Sequence, residues 1–269
     1  MTRFNAYILN EGRGKGLTKE QAIELIKKNC SGIVNSYSKS HVRIYRGAGG
    51  MDDYYDYQIV DPTKGKLRRS RNTRNYYTLL MDNLTPWKAY PKRSRSIVCS
   101  TSKSKSSGYG NLYVVLPYNN AKIGICSTDD IWFSFEQNMR HNLNEFNRIL
   151  QTILSIGKKS LKDLDKNWKT LLTNFKDSEA YIQSGLYKLD IKAHSWSSDA
   201  LYKQIYDKIV NGQSYRQVFN TLLEPTQNGF QLKTPKDIPL SSIPKNEVWV
   251  GKAPSILVDV LHYETDLEL

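Results

Sequence analysis

The sequence predicts an α+β fold, and three observations predict it. Apolar runs of strand length lie toward both ends of the 269-residue chain, a long middle carries apolar residues at helical spacing, and there is no regular strand–helix–strand alternation. A chain of this length can bury most of its apolar surface without a disulfide or metal staple. With no internal repeat and no long linker, it reads as one domain over residues 1–269 with a helical insertion over about residues 133–223.

The elements follow in order. Residues 4–9 are a short apolar stretch, closed by the glycine-rich turn at 11–16. That turn lacks the GxGxxG spacing and the setting of a dinucleotide fingerprint. Thr18 and Gln21 form a capping box, and Ala22, Ile23, Leu25 and Ile26 line one face of a helix ending near Asn29. Residues 41–47 alternate as a strand, closed by Gly47, Gly49 and Gly50. A short helix over residues 76–84 is stopped by Pro86. Residues 96–101 (SIVCST) form a strand leading into a Ser/Lys/Gly loop. Strands 111–116 and 122–126 flank Pro117-Tyr118-Asn119-Asn120 and read as a hairpin.

In the middle, Phe135, Met139, Leu143, Phe146, Leu150 and Ile153 make one helical stripe, and Leu161, Leu164, Trp168, Leu171 and Phe175 a second. Helices over 199–210 and from Ser214 to Leu223 complete the insertion. Strands 247–250 and 256–263, separated by a Gly/Pro turn, close the chain.

Charge is the first functional signal. Thirty-nine Lys and Arg against 26 Asp and Glu leave +13, a field that favours polyanions. Between Lys64 and Lys105 twelve basic residues, among them Arg68, Arg69, Arg71, Arg74, Lys103 and Lys105, face only Asp82, so this segment holds +11. Tyr76, Tyr77, Trp87, Tyr90 and Tyr109 are interleaved with them. Cations neutralise phosphates while flat rings stack on unpaired bases, which points to single-stranded nucleic acid. A solvated basic loop and an acidic protein partner are the alternatives.

Other residue types exclude chemistry. Cys30, Cys99 and Cys126 have no CxxC spacing and read as reduced thiols of a cytoplasmic protein. His41, His141, His194 and His262 share no ligand spacing, so no metal is expected; His41 and His262 read as strand-edge residues. Asp129-Asp130 reads as the cap of a helix near Phe133. No apolar run is long enough to span a membrane, and no apolar leader opens the chain.

Three separated pieces remain. A strand ends in Ile44-Tyr45-Arg46-Gly47, a second runs into Ser100-Thr101-Ser102, and a late Glu247 opens a strand before a Gly/Pro turn. This order resembles the Arg–Ser–Glu class of ADP-ribosyltransferases, which includes cholera-toxin-like, clostridial C3-like and bacteriophage enzymes. The tail EVWVGKAPSILVDV is similar to the family's EVLLPPGTxFxV pattern, whose glutamate is catalytic.

The resemblance implies a split β-sheet core with a helical N-terminus and the mid-chain helical insertion. It implies cleavage of the nicotinamide–ribose bond of NAD+, used as a substrate, without a metal. Glu247 would hold the ribose 2′-hydroxyl and stabilise an oxocarbenium-like transition state, as glycosidase carboxylates do. Arg46, beside Gly47, would grip the phosphates or ribose of NAD+. Ser100 would hydrogen-bond the Glu247 carboxylate, with Thr101 and Ser102 ordering the backbone nearby. Tyr45, Tyr109 and Tyr113 are candidates to stack on nicotinamide. Arg43 rivals Arg46 but lies three residues earlier, so alternation aims it at the opposite face.

One position departs from the family. Two residues before the glutamate, relatives carry Glu or Gln; here Lys245 stands there, which disfavours an arginine acceptor and suits a phosphate. With the basic segment, including Arg68, Arg69, Arg71 and Arg74, it points to a nucleic-acid acceptor, RNA favoured over DNA. An unpaired base costs less to present than one in a duplex. Such an enzyme resembles toxin or phage-conflict effectors of a bacterial or phage-infected cytoplasm, which have a neutralising antitoxin partner. A protein acceptor, hydrolysis of NAD+ by water, and a non-catalytic nucleic-acid-binding module on the same scaffold are the alternatives.

Overall fold

Nine strands form one antiparallel sheet in the computed structural model, which describes residues 14–48, 54–64, 76–143, 146, 201, 204, 205, 207, 208, 211, 213 and 215–267. In chain order the strands are β1 (Lys15–Gly16), β2 (Tyr45–Ala48), β3 (Tyr57–Val60), β4 (Ser96–Ser100), β5 (Asn111–Pro117), β6 (Lys122–Ile125), β7 (Gln231–Lys233), β8 (Glu247–Gly251) and β9 (Ser255–Asp259). Across the sheet they run β1-β3-β9-β5-β2-β4-β8-β6-β7. Among the described residues the helices are α1 (Lys19–Asn29), α2 (Ser31–Ser38), α3 (Tyr76–Asn83), α4 (Lys103–Ser107), α5 (Glu136–Met139), α6 (Tyr215–Leu222) and α7 (Val260–Asp266). The class is therefore α+β.

The chain divides into two compact units. The first draws on Met1–Arg71, Ala89–Asp130 and Phe230–Leu269, and it contains all nine strands. Strands β4, β8 and β9 are buried along their whole length. That burial explains their near-continuous apolar runs, since a strand covered on both faces need not alternate. Helices α1 and α2 add Ala22, Ile26, Ile33 and Tyr37 to the same core as Val114, Leu116, Ile256 and Val258. Thr18 and Gln21 make both bonds of the expected capping box. Cys30, between the two helices, donates from Sγ to the Leu116 carbonyl at 3.4 Å, and burial pushes its thiol up to about 12. All three cysteines are buried thiols.

The second unit comprises Asn72–Lys88 and Ile131–Gly229. Its described part is helical and aromatic. Tyr77 meets Trp132 edge-on at 5.2 Å, and Phe146 meets Phe219 edge-on at 5.4 Å. Trp87 donates its indole N–H to the Leu223 carbonyl at 2.7 Å. Phe135, Met139, Leu143 and Phe146 of the first helical stripe are buried. The stripe from Leu161 to Phe175 lies outside the described residues.

Several sequence expectations are corrected. Strands β5 and β6 do not form a hairpin: β5 lies between β2 and β9, and β6 between β7 and β8. The intended turn is used elsewhere. The Asn119 side chain accepts from Gly32 N at 2.8 Å and donates to Ser31 Oγ, tying the crossover to the start of α2. The last strand stops at Asp259, whose carboxylate accepts from Leu261 N at 2.9 Å and caps α7. His262 is thus helical and lies between Asp56 and Asp266, not on a strand edge. Residues 103–107 are helical because Ser102 caps them. Asp129 and Asp130 take the Lys105 ammonium at 3.0 and 3.8 Å, while α5 starts at Glu136 without a side-chain cap. Among the described residues no helix is long and apolar enough to cross a membrane.

Candidate active site

Glu247 is a buried carboxylate at the first residue of β8, held by neighbours on both its backbone and its side chain. Its N–H donates to the Thr128 carbonyl, and its own carbonyl accepts from Cys126 N, both at 2.9 Å. In the β4–β8 ladder it stands directly opposite Ser100, and Ser100 stands directly opposite Tyr45 of β2. Directly opposed residues share a face, so Tyr45, Ser100 and Glu247 form one row across three adjacent strands.

Arg46 lies one residue beyond that row, so strand alternation sets it on the other face from Tyr45, Ser100 and Glu247. Strand β2 pairs with β4 only at Tyr45 and continues along β5 to Ala48. Where β2 leaves β4, Arg46 Nη1 donates to the Val98 carbonyl at 2.5 Å. Gly47 is required here: a Cβ would sit 1.9 Å from the Ser106 carbonyl oxygen, where α4 packs on β2. The rival Arg43 is committed elsewhere. Its Nε donates to Tyr263 Oη at 3.0 Å, and its guanidinium lies over the Tyr37 ring at 4.8 Å.

The Ser100 hydroxyl, expected on the Glu247 carboxylate, instead accepts from Ser102 N at 3.0 Å. Thr101 is bonded to the residues that lead into Glu247. Its hydroxyl accepts from Asn246 N at 2.8 Å and donates to the Ile243 carbonyl, and its N–H donates to the Asn246 carbonyl at 3.0 Å. The segment entering Glu247 is thereby tied to the end of β4. Ser102 accepts from Lys105 N at 3.4 Å as the cap of α4.

Two groups on the Glu247 carboxylate, Trp249 and Arg93, are ones that sequence reading missed. Trp249 Nε1 donates to Oε1 at 2.6 Å. Arg93 donates to the same oxygen from Nη2 at 3.0 Å and from Nε at 3.3 Å. The Arg93 guanidinium also lies 5.6 Å from the Trp249 ring, within cation–π range. The Trp249 signal was legible: two residues after Glu247 on one strand, it must share its face. Arg93 was one basic residue among twelve, and nothing local distinguished it.

Of the other expected contacts, Lys245 is exposed in the turn before β8. Arg68, Arg69, Arg71 and Arg74 lie outside the described residues. Four described cations of the basic segment are matched from outside it: Lys64 by Asp61, Lys103 by Glu264, Lys105 by Asp129, Arg93 by Glu247. The +11 of the sequence therefore overstates the local field around these residues. Among the candidate stacking rings, Tyr109 is exposed and Tyr45 half-buried. Tyr113 is buried beside Tyr54 and kept a neutral phenol, pushed up to about 12 by burial and then by Asp259 and Asp56. No His/Cys/Asp/Glu group suited to a metal occurs among the described residues.

No protein-family model matches the chain, and no curated protein or solved structure gives a significant match.

Proposed function

We propose that the chain is an NAD+-dependent mono-ADP-ribosyltransferase that modifies single-stranded nucleic acid, RNA favoured over DNA. One observation carries the reading. The three pieces that resemble the Arg–Ser–Glu class lie on three adjacent strands, with Ser100 directly opposite both Tyr45 and Glu247, and Arg46 following Tyr45. The nine strands form one continuous sheet, and the support for a split core is that β2 meets β4 at Tyr45 alone before continuing along β5.

The residue types fit a dinucleotide substrate. A carboxylate (Glu247) suits a ribose hydroxyl and developing positive charge, and a guanidinium (Arg46) suits phosphate oxygens. In the reaction the nicotinamide–ribose C–N bond breaks and nicotinamide leaves with the bonding pair. A nucleobase amine or ribose hydroxyl bonds to the anomeric carbon and releases its proton. Lys245, exposed two residues before Glu247, is the described cation best placed in sequence to meet an acceptor phosphate. An effector or toxin role with a neutralising partner follows from the resemblance.

A second reading is favoured by the burial of Glu247 and its ion pair with Arg93: a nucleic-acid-binding module that has kept the scaffold without turnover. The protein is incubated with labelled NAD+ and cell lysate, then with nuclease or protease. The proposal expects label that nuclease removes and protease does not. Label lost only to protease means a protein acceptor, and no label with salt-dependent RNA binding means the binding module.

A further inference from the structure

Arg93 reaches Glu247 from a segment the rest of the site does not use. Residues Arg93–Arg95 form a single 3-10 turn leading into β4, closed by Arg95 N on the Lys92 carbonyl at 2.9 Å and by Ser96 Oγ on the same carbonyl at 2.7 Å. Pro91 seats that turn on the sheet. A Cβ on Gly251 would lie 2.9 Å from Pro91 Cβ and 2.7 Å from Ser96 Oγ, and one on Gly124 would lie 3.4 Å from Pro91 Cγ. The absence of a side chain at Gly251 lets the turn lie close against β8, while a Cβ at Gly124 would make only ordinary contact with Pro91. Arg93 is 6 % exposed, and its guanidinium meets Glu247 Oε1 beside the Trp249 indole.

Burying a guanidinium is costly, and a fork that donates twice to one carboxylate oxygen restricts that carboxylate's rotamer. An indole N–H on the same oxygen restricts it further. Three N–H groups from Arg93 and Trp249 thus set the orientation of the carboxylate and favour its charged form.

We propose that Arg93 is a positioning residue of the Glu247 site: it acts on the reaction by holding the Glu247 carboxylate ionised and oriented, with Trp249 as its support. This inference rests on the transferase reading of Glu247. It is independent of which acceptor is modified.

Nicotinamide release from NAD+ is measured against pH for the native protein, R93Q, R93K and G251A, each checked for folding by circular dichroism. In parallel, the Glu247 side-chain carboxyl is followed by 13C NMR, with its resonance assigned by its loss in E247Q. In R93Q the expected result is a fall in kcat of tenfold or more with KM for NAD+ changed less than threefold. Removing the neighbouring cation should also move the Glu247 titration midpoint and the acid limb of kcat up together, by about one pH unit or more. R93K should recover part of both. G251A, which keeps Arg93 but displaces its turn, should shift in the same direction. An active R93Q with an unmoved Glu247 midpoint overturns the role of Arg93 and leaves the transferase reading intact. A native protein that releases no nicotinamide, while the midpoint still moves in R93Q, overturns the transferase reading and reduces the pair to a structural one.

Discussion

Arg93 and Glu247, 154 residues apart in sequence, form an ion pair at 3.0 Å whose side chains are 7 % and 12 % exposed. Breaking a buried pair from one side strands a charge, whereas removing both partners does not. E247Q and R93M are each expected to lower unfolding stability by about 3 kcal/mol. The double variant should lose less than the sum of the two. Urea denaturation of all four proteins at pH 7 checks this, and additive losses would mean the pair is not coupled.

Gly47 and Gly108 differ in what a methyl group would meet. At Gly47 it would strike the Ser106 carbonyl, which is backbone and cannot swing away; at Gly108 the nearest atom is 3.6 Å off. G47A should cost about 1–3 kcal/mol, the range for overpacking, while G108A should be neutral or slightly stabilising. Thermal melts of the two variants make the comparison directly.

Thr101 ties β4 to the residues that lead into Glu247. Replacing its hydroxyl by a methyl in T101V leaves the Asn246 N–H and the Ile243 carbonyl without that partner, at a cost of about 1–3 kcal/mol. Hydrogen exchange should quicken at residues 243–247 in T101V and stay unchanged in α1. Uniform quickening would instead indicate a global loss of stability.

Asp266 predicts how stability depends on acid. Hydrogen bonds from Tyr57, Lys19 and His262 hold its carboxyl well below the ordinary 3.8. A group whose folded value is depressed contributes its stability above the unfolded value and loses it as pH falls. The native urea midpoint should therefore drop as pH falls from about 5 to about 3, and D266N should drop less over that window. Equal drops would remove Asp266 from the account.

Part of this architecture was legible because its signals are local. Thr18 and Gln21 cap α1 within four residues, and β4 and β8 are apolar runs bounded by polar ends. The order Arg46, Ser100, Glu247 could be read, and the three residues lie on adjacent strands. The failures came where a local pattern has two uses. A Pro-Tyr-Asn-Asn turn suits a hairpin, yet Asn119 serves α2 because both edges of β5 are already taken. Residues 256–263 are a mostly apolar run long enough for one strand, but Asp259 can also cap a helix, and the cap prevails. Arg93 on Glu247 depends on a contact across the fold and on the close approach at Gly251, which no window of sequence displays.

The central claim is that Glu247 is the catalytic carboxylate of an NAD+-cleaving transferase. The most direct measurement is nicotinamide release by the native protein and by E247Q, at a temperature where both are folded. The account predicts release by the native protein and a loss of at least about 100-fold in E247Q, the scale of removing one preorganised electrostatic contact. Equal release by the two proteins, or none by either, would contradict it.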